Sequence, residues 1–110
     1  MNVYDTANRL ASEIRNSDEY KEYKKAKDEI MSNTETKNKV SDFEKLRYDV
    51  QLLEYQGKGE SEEKNKKLQE MYTMLVQDKK IKEYFDLEVK FNIMIADVNK
   101  IIAESIKDVL

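Results

Sequence analysis

Catalysis in this chain would have to run on carboxylates, lysines, tyrosines or serines, because its 110 residues include no histidine and no cysteine. Losing histidine removes the commonest general base and the commonest metal ligand. Losing cysteine removes thiol nucleophiles, disulfides, thiolate zinc sites and iron–sulfur ligation together. The carboxylates that remain do not compensate. Glu19 and Glu22 share a helical face, and Asp42 and Asp49 lie two turns apart. A di-iron bundle, however, needs Glu-x-x-His on two helices. Glu60, Glu62 and Glu63 could hold calcium weakly, but they lack the alternating oxygen ligands of a loop site. Acid placed at a helix start explains them better. Gly57-Lys58-Gly59 is too short to cradle phosphate and follows no strand, and no dinucleotide, Walker or nucleophile-elbow motif occurs. The composition predicts a protein that is not an enzyme, with no catalytic, cofactor or metal residues.

The bases point away from nucleic acid. Seventeen of the 20 are lysines, and only Arg9, Arg15 and Arg47 could make the bidentate contacts favoured for phosphate and guanine. Lys21, Lys24, Lys25 and Lys27 stand among Glu19, Glu22, Asp28 and Glu29, and Lys64, Lys66 and Lys67 follow three acids. Such alternation describes a solvated helix face, with i,i+4 pairs worth about 0.2–0.5 kcal/mol each. Lys79, Lys80 and Lys82 are the least compensated group, and a helix start disfavours positive charge. The competing reading is a nucleic-acid-associated factor using the lysine-rich faces, and its sign would be binding that weakens steeply with salt.

The elements that would position these residues are helices. There is no proline, the glycines are Gly57 and Gly59, and charged and hydrophobic residues each make up 39% of the chain. Val3, Ala7, Leu10, Ala11 and Ile14 put a first helix over about 3–15. Asn16, with Glu19 three residues on, suits the start of a second, to about Met31, carrying Tyr20, Tyr23, Ala26 and Ile30. Ser32 and Glu35 make a similar box for a third, to about Gln56. Val40, Phe43, Leu46, Val50 and Leu53 form its core stripe. Tyr48, Leu52 and Tyr55 form a smaller stripe on the far side, either half-exposed surface or contacts for a partner. The glycines turn the chain, Ser61 caps a fourth helix over about 62–77, and Asp78 caps the fifth.

That fifth helix is the most informative segment. Ile81, Tyr84, Glu88, Phe91, Ile95, Val98, Ile102, Ser105 and Val109 step by threes and fours without a slip, a heptad seam widened by Leu87, Met94 and Ile101. Asp86, Lys90, Asp97, Lys100, Glu104 and Lys107 line the opposite side. The spacing predicts that Tyr84, Phe91, Met94, Ile95, Val98, Ile101 and Ile102 form the core and a dimer seam. Truncating Ile95 or Ile102 to alanine would cost about 2–5 kcal/mol if both are buried. No apolar run reaches the about 20 residues that span a bilayer, and the first fourteen residues do not read as a signal peptide. Equal acid and base on the polar side of the fifth helix disfavour a membrane surface. A cytoplasmic location follows as the expectation.

With these residues laid out, the chain resembles the YlbF/YmcA family of small bacterial helical proteins, closest to its YheA-like branch. The likeness is carried by Asn2-Val3-Tyr4-Asp5 with Ala7, Leu10 and Ala11, and by Ser17-Asp18-Glu19-Tyr20-Lys21 running on to Tyr23, Lys24 and Lys27. Gly59-Glu60 before an acid-rich helix adds to it, as do Glu88, Phe91, Met94 and Ile95 with Asp97–Ile102. The family often has Asn-Pro before its last helix, where this chain has Asp78-Lys79. The resemblance implies a self-associating, non-catalytic accessory factor. Characterised relatives join a complex that influences the endoribonuclease RNase Y, and some contribute cysteines to iron–sulfur clusters, which this chain cannot do. Together these readings predict an all-α single domain over 1–110: an antiparallel bundle of about five helices with a long C-terminal helix, homodimeric or larger. Its role would be that of an adaptor, with Tyr48, Leu52 and Tyr55 as partner contacts and family relatives or a ribonuclease as partners, without cofactors.

Overall fold

In the computed structural model, which describes residues 2–57 and 62–110, the chain is all-α. Its helices are α1 (Val3–Arg15), α2 (Asp18–Met31), α3 (Thr34–Tyr55), α4 (Glu62–Leu75) and α5 (Lys79–Ile106). The expected glycine loop at 58–61, with the Ser61 cap and Glu60, lies outside the described residues.

Three of the links between helices are two or three residues long, and each follows one rule. The earlier polar residue closes the helix behind it and the last one opens the helix ahead. Asn16 donates its side-chain amide to Ser12 O at 2.9 Å, while Ser17 Oγ accepts the amide of Tyr20 at 3.2 Å. Ser32 Oγ donates back to Glu29 O at 2.7 Å, while Asn33 Oδ1 accepts the amide of Thr36 at 3.1 Å. Gln77 donates back to Thr73 O, while Asp78 Oδ1 accepts the amide of Lys80 at 2.9 Å. The caps expected at Asn16 and Ser32 therefore sit one residue later, at Ser17 and Asn33, and Asp78 caps as expected. Each such cap satisfies one of the orphan amides of a first turn. At the other boundaries α3 stops at Tyr55 rather than Gln56, and α4 at Leu75 rather than Gln77.

Gly57 follows the α3 C-cap, Gln56, with φ +67°, and its amide donates to Glu54 O at 3.1 Å. A Cβ built there would meet nothing within 4 Å. The cost of Gly57→Ala is therefore that of the left-handed backbone alone, about 1 kcal/mol. A urea titration should read it as a lower midpoint with unchanged slope.

The helices form two compact units. One comprises Asp28–Glu83. Within it α3 and α4 pack together, with Phe43 and Tyr72 rings 6.1 Å apart and Lys39 and Asp42 sharing a groove with Met71, Met74 and Leu75. The start of α3 thus lies beside the end of α4. A link of six residues between the two helices makes this pair antiparallel. The buried side chains of this unit are Ile30, Val40, Phe43, Val50, Leu75 and Ile81. The expected α3 stripe accounts for Val40, Phe43 and Val50, and Leu46 and Leu53 are half-buried.

The other unit comprises Met1–Lys27 and Tyr84–Leu110. Here Tyr20 meets Phe91, and Tyr23 meets both Phe91 and Tyr84. Moving up α2 means moving down α5, so this pair is antiparallel too. Ala26, Tyr84 and Phe85 are its buried side chains.

Candidate functional site

The seam of α5 changes character along its length. Tyr84, 1% exposed, stacks on Tyr23 with ring centroids 5.6 Å apart and planes 27° from parallel. Phe91 lies 5.4 Å from the same Tyr23 ring. Glu88, a polar member of the seam, accepts a hydrogen bond from the Tyr23 hydroxyl at 3.3 Å, so it is matched rather than stranded. Along α5 this aromatic cluster stops where α2 begins. Tyr20 lies near the beginning of α2 and already reaches Phe91, whereas α5 runs fifteen residues beyond Phe91.

Past that point the seam opens to water. Phe91, Met94, Ile95 and Val98 are half-buried, while Ile101 and Ile102 are 71% and 49% exposed. Ile106 and Val109 are exposed as well. Within a single chain, Ile101 and Ile102 are therefore not core residues. Heptad spacing marks a face as apolar but does not say what covers it. In the same unit α1 has no buried residue at all: its stripe of Val3, Ala7, Leu10, Ala11 and Ile14 is exposed except for half-buried Leu10 and Ile14.

The tyrosine stripe of α3 lies in the other unit. Tyr48 and Tyr55 are 63% and 91% exposed, and Leu52 is exposed beside them. An open depression lined by Ser41, Glu44, Lys45, Tyr48 and Asp49 adjoins the stripe, so its surroundings carry both signs of charge. On the opposite side of the same helix Val40, Phe43 and Val50 are buried, and that is what turns the tyrosines outward.

Some apolar positions escaped the sequence reading. Phe85 is buried although it lies off the seam. Val89 and Ile93 are exposed on the polar side of α5, and Met74 is exposed on α4. The i,i+4 spacing of Val89 and Ile93 was the available signal, masked by the stronger seam opposite.

Among the described residues no three acidic side chains come together in a way that could hold a metal ion. Lys21, Lys24, Lys25 and Lys27 are all exposed, as are Lys79, Lys80 and Lys82. Arg9–Glu13, Lys39–Glu35 and Lys107–Glu104 are ion pairs within single helices at 3.2–3.4 Å, the pattern of solvated faces. Among the described residues no helix is long and apolar enough to cross a membrane.

Residues 3–107 fit the family described as "Control of competence regulator ComK, YlbF/YmcA". The chain belongs to the YlbF/YmcA family. Among its relatives, a UPF0342 protein of Halothermothrix orenii is 38% identical over 102 residues, covering 93% of this chain and 86% of the relative. A UPF0342 protein of Caldicellulosiruptor bescii is 34% identical over 106 residues, 96% and 89% of the two chains. One from Bacillus cereus is 30% identical over 107 residues, 97% and 91%. A YlbF/YmcA protein is thus described by its family in regulatory terms, and the resemblance drawn from residues such as Glu88, Phe91 and Asp97–Ile102 is to that family.

Proposed function

We propose that this YlbF/YmcA protein is a non-enzymatic regulatory adaptor of the cytoplasm that works as a homodimer and binds other proteins through helical faces. The observation that carries the proposal is the open end of the α5 seam, where Ile101, Ile102 and Ile106 stand exposed beyond the Tyr20–Phe91 contact. A contiguous apolar face of this kind marks an association surface. A second copy is the occupant we assign to it, because the same seam is continuous with the packed α2–α5 contact and α1 offers a further uncovered apolar stripe. Tyr48, Leu52 and Tyr55 then remain for a different protein, as exposed aromatics of the kind enriched at interfaces. The family match over residues 3–107 supports treating the two units as one functional domain.

The family description supports a regulatory role. The sequence resemblance extends the proposal to RNA processing, with the endoribonuclease RNase Y or family relatives as partners. Tagged protein would be recovered from the native cytoplasm, with and without nuclease treatment, as wild type and as the double variant Tyr48→Ala/Tyr55→Ala. The expected result is that the ribonuclease or family relatives accompany the wild type in both treatments and fall at least about tenfold with the double variant, the scale of an interface hot spot. Recovery that disappears with nuclease would favour the lysine-rich faces and nucleic acid instead.

A further inference from the structure

We propose that Met74 is the most peroxide-reactive methionine among the described residues, a reversible oxidation point set on the rim of the groove between α3 and α4. The four described methionines differ sharply in access. Met31, Met71 and Met94 are half-buried, whereas Met74 is 75% exposed. Met74 lies one turn after Met71 on α4, and both line a groove of about 260 Å³ with Leu75, Lys39 and Asp42. With no cysteine in the chain, no thiol competes for oxidant, and methionine reactivity then follows exposure.

The oxidant is a hydroperoxide, hydrogen peroxide being the simplest. The thioether sulfur attacks one peroxide oxygen, the O–O bond breaks, and an S–O bond forms. Sulfur loses two electrons. The other oxygen departs as hydroxide and takes up the proton released by the transferred oxygen, leaving sulfoxide and one water. The product places a polar, chiral S=O where Met74 had extended the apolar wall formed by Met71 and Leu75. Methionine sulfoxide is a substrate for the reductases that restore the thioether, so the change is reversible.

Peptide mapping of the full-length protein under excess hydrogen peroxide tests this. Trypsin releases residues 68–79 as one peptide carrying both Met71 and Met74, and fragment ions separate the two. Met74 should gain oxygen at least about threefold faster than Met31, Met71 or Met94 in the folded protein, and the rates should converge in urea. Equal or slower oxidation of Met74 would overturn the assignment. A preference that persisted in urea would also overturn it, by tracing the reactivity to local sequence rather than to the fold.

Discussion

Tyr84→Ala is expected to lower the free energy of unfolding by about 3–5 kcal/mol. Tyr84 is 1% exposed, packed against the rings of Tyr23 at 5.6 Å and Phe85 at 5.7 Å. Removing the ring deletes its transfer energy and leaves a cavity that two helices held in register cannot fully close. Stacked aromatic pairs also contribute about 0.5–1.5 kcal/mol beyond the buried area. Domains of this size have only about 5–15 kcal/mol in total, so the variant should approach the edge of stability. Tyr84→Phe keeps the ring and should retain most of the stability. Urea unfolding followed by circular dichroism reads both. A loss below about 1 kcal/mol for the alanine variant would mean that the α2–α5 contact is not where it is described here.

Phe43→Ala should cost a similar about 3–5 kcal/mol, from the other unit. Phe43 is 4% exposed, its ring 6.1 Å from that of Tyr72 across the α3–α4 pair, with the Arg47 guanidinium 5.5 Å from the ring centroid. The cation adds about 0.5–1 kcal/mol at a site open to water on one side. Arg47→Ala should therefore lose far less than Phe43→Ala. If the two variants lost equal stability, the cation rather than the packed ring would be holding α3 to α4.

The sequence was most legible where a single physical rule decides the outcome. Period-3.6 spacing placed all five helices, and α1 begins and ends at the expected Val3 and Arg15 because its apolar stripe is bounded by polar residues at both ends. The capping residues were displaced by one because Asn16-Ser17 and Ser32-Asn33 each offer two competent side chains. Only the three-dimensional link shows that the second of each pair accepts the first-turn amide. The apolar seam of α5 was legible as far as Ile102, yet its burial was not, and the expected last member, Val109, lies beyond the helix, which stops at Ile106. Tyr84 and Ile102 lie on the same face of α5, about five helical turns apart, and what separates them is that α2 is half as long as α5. Tyr48, Leu52 and Tyr55 could be placed on an outer face by spacing from Val40, Phe43 and Val50, while the identity of a partner is not encoded in their spacing.

The most direct test of the account is the molar mass in solution, by light scattering coupled to size exclusion, of the wild type and of Ile102→Asp. The wild type should have about twice the 13.1 kDa of one chain, and Ile102→Asp should fall to a single chain while keeping its helical circular dichroism. A buried carboxylate without a partner costs enough to separate the copies, whereas on a half-exposed surface it costs little. A wild type that runs as one chain, or a variant that stays dimeric, would contradict the claim that a second copy covers the open end of α5.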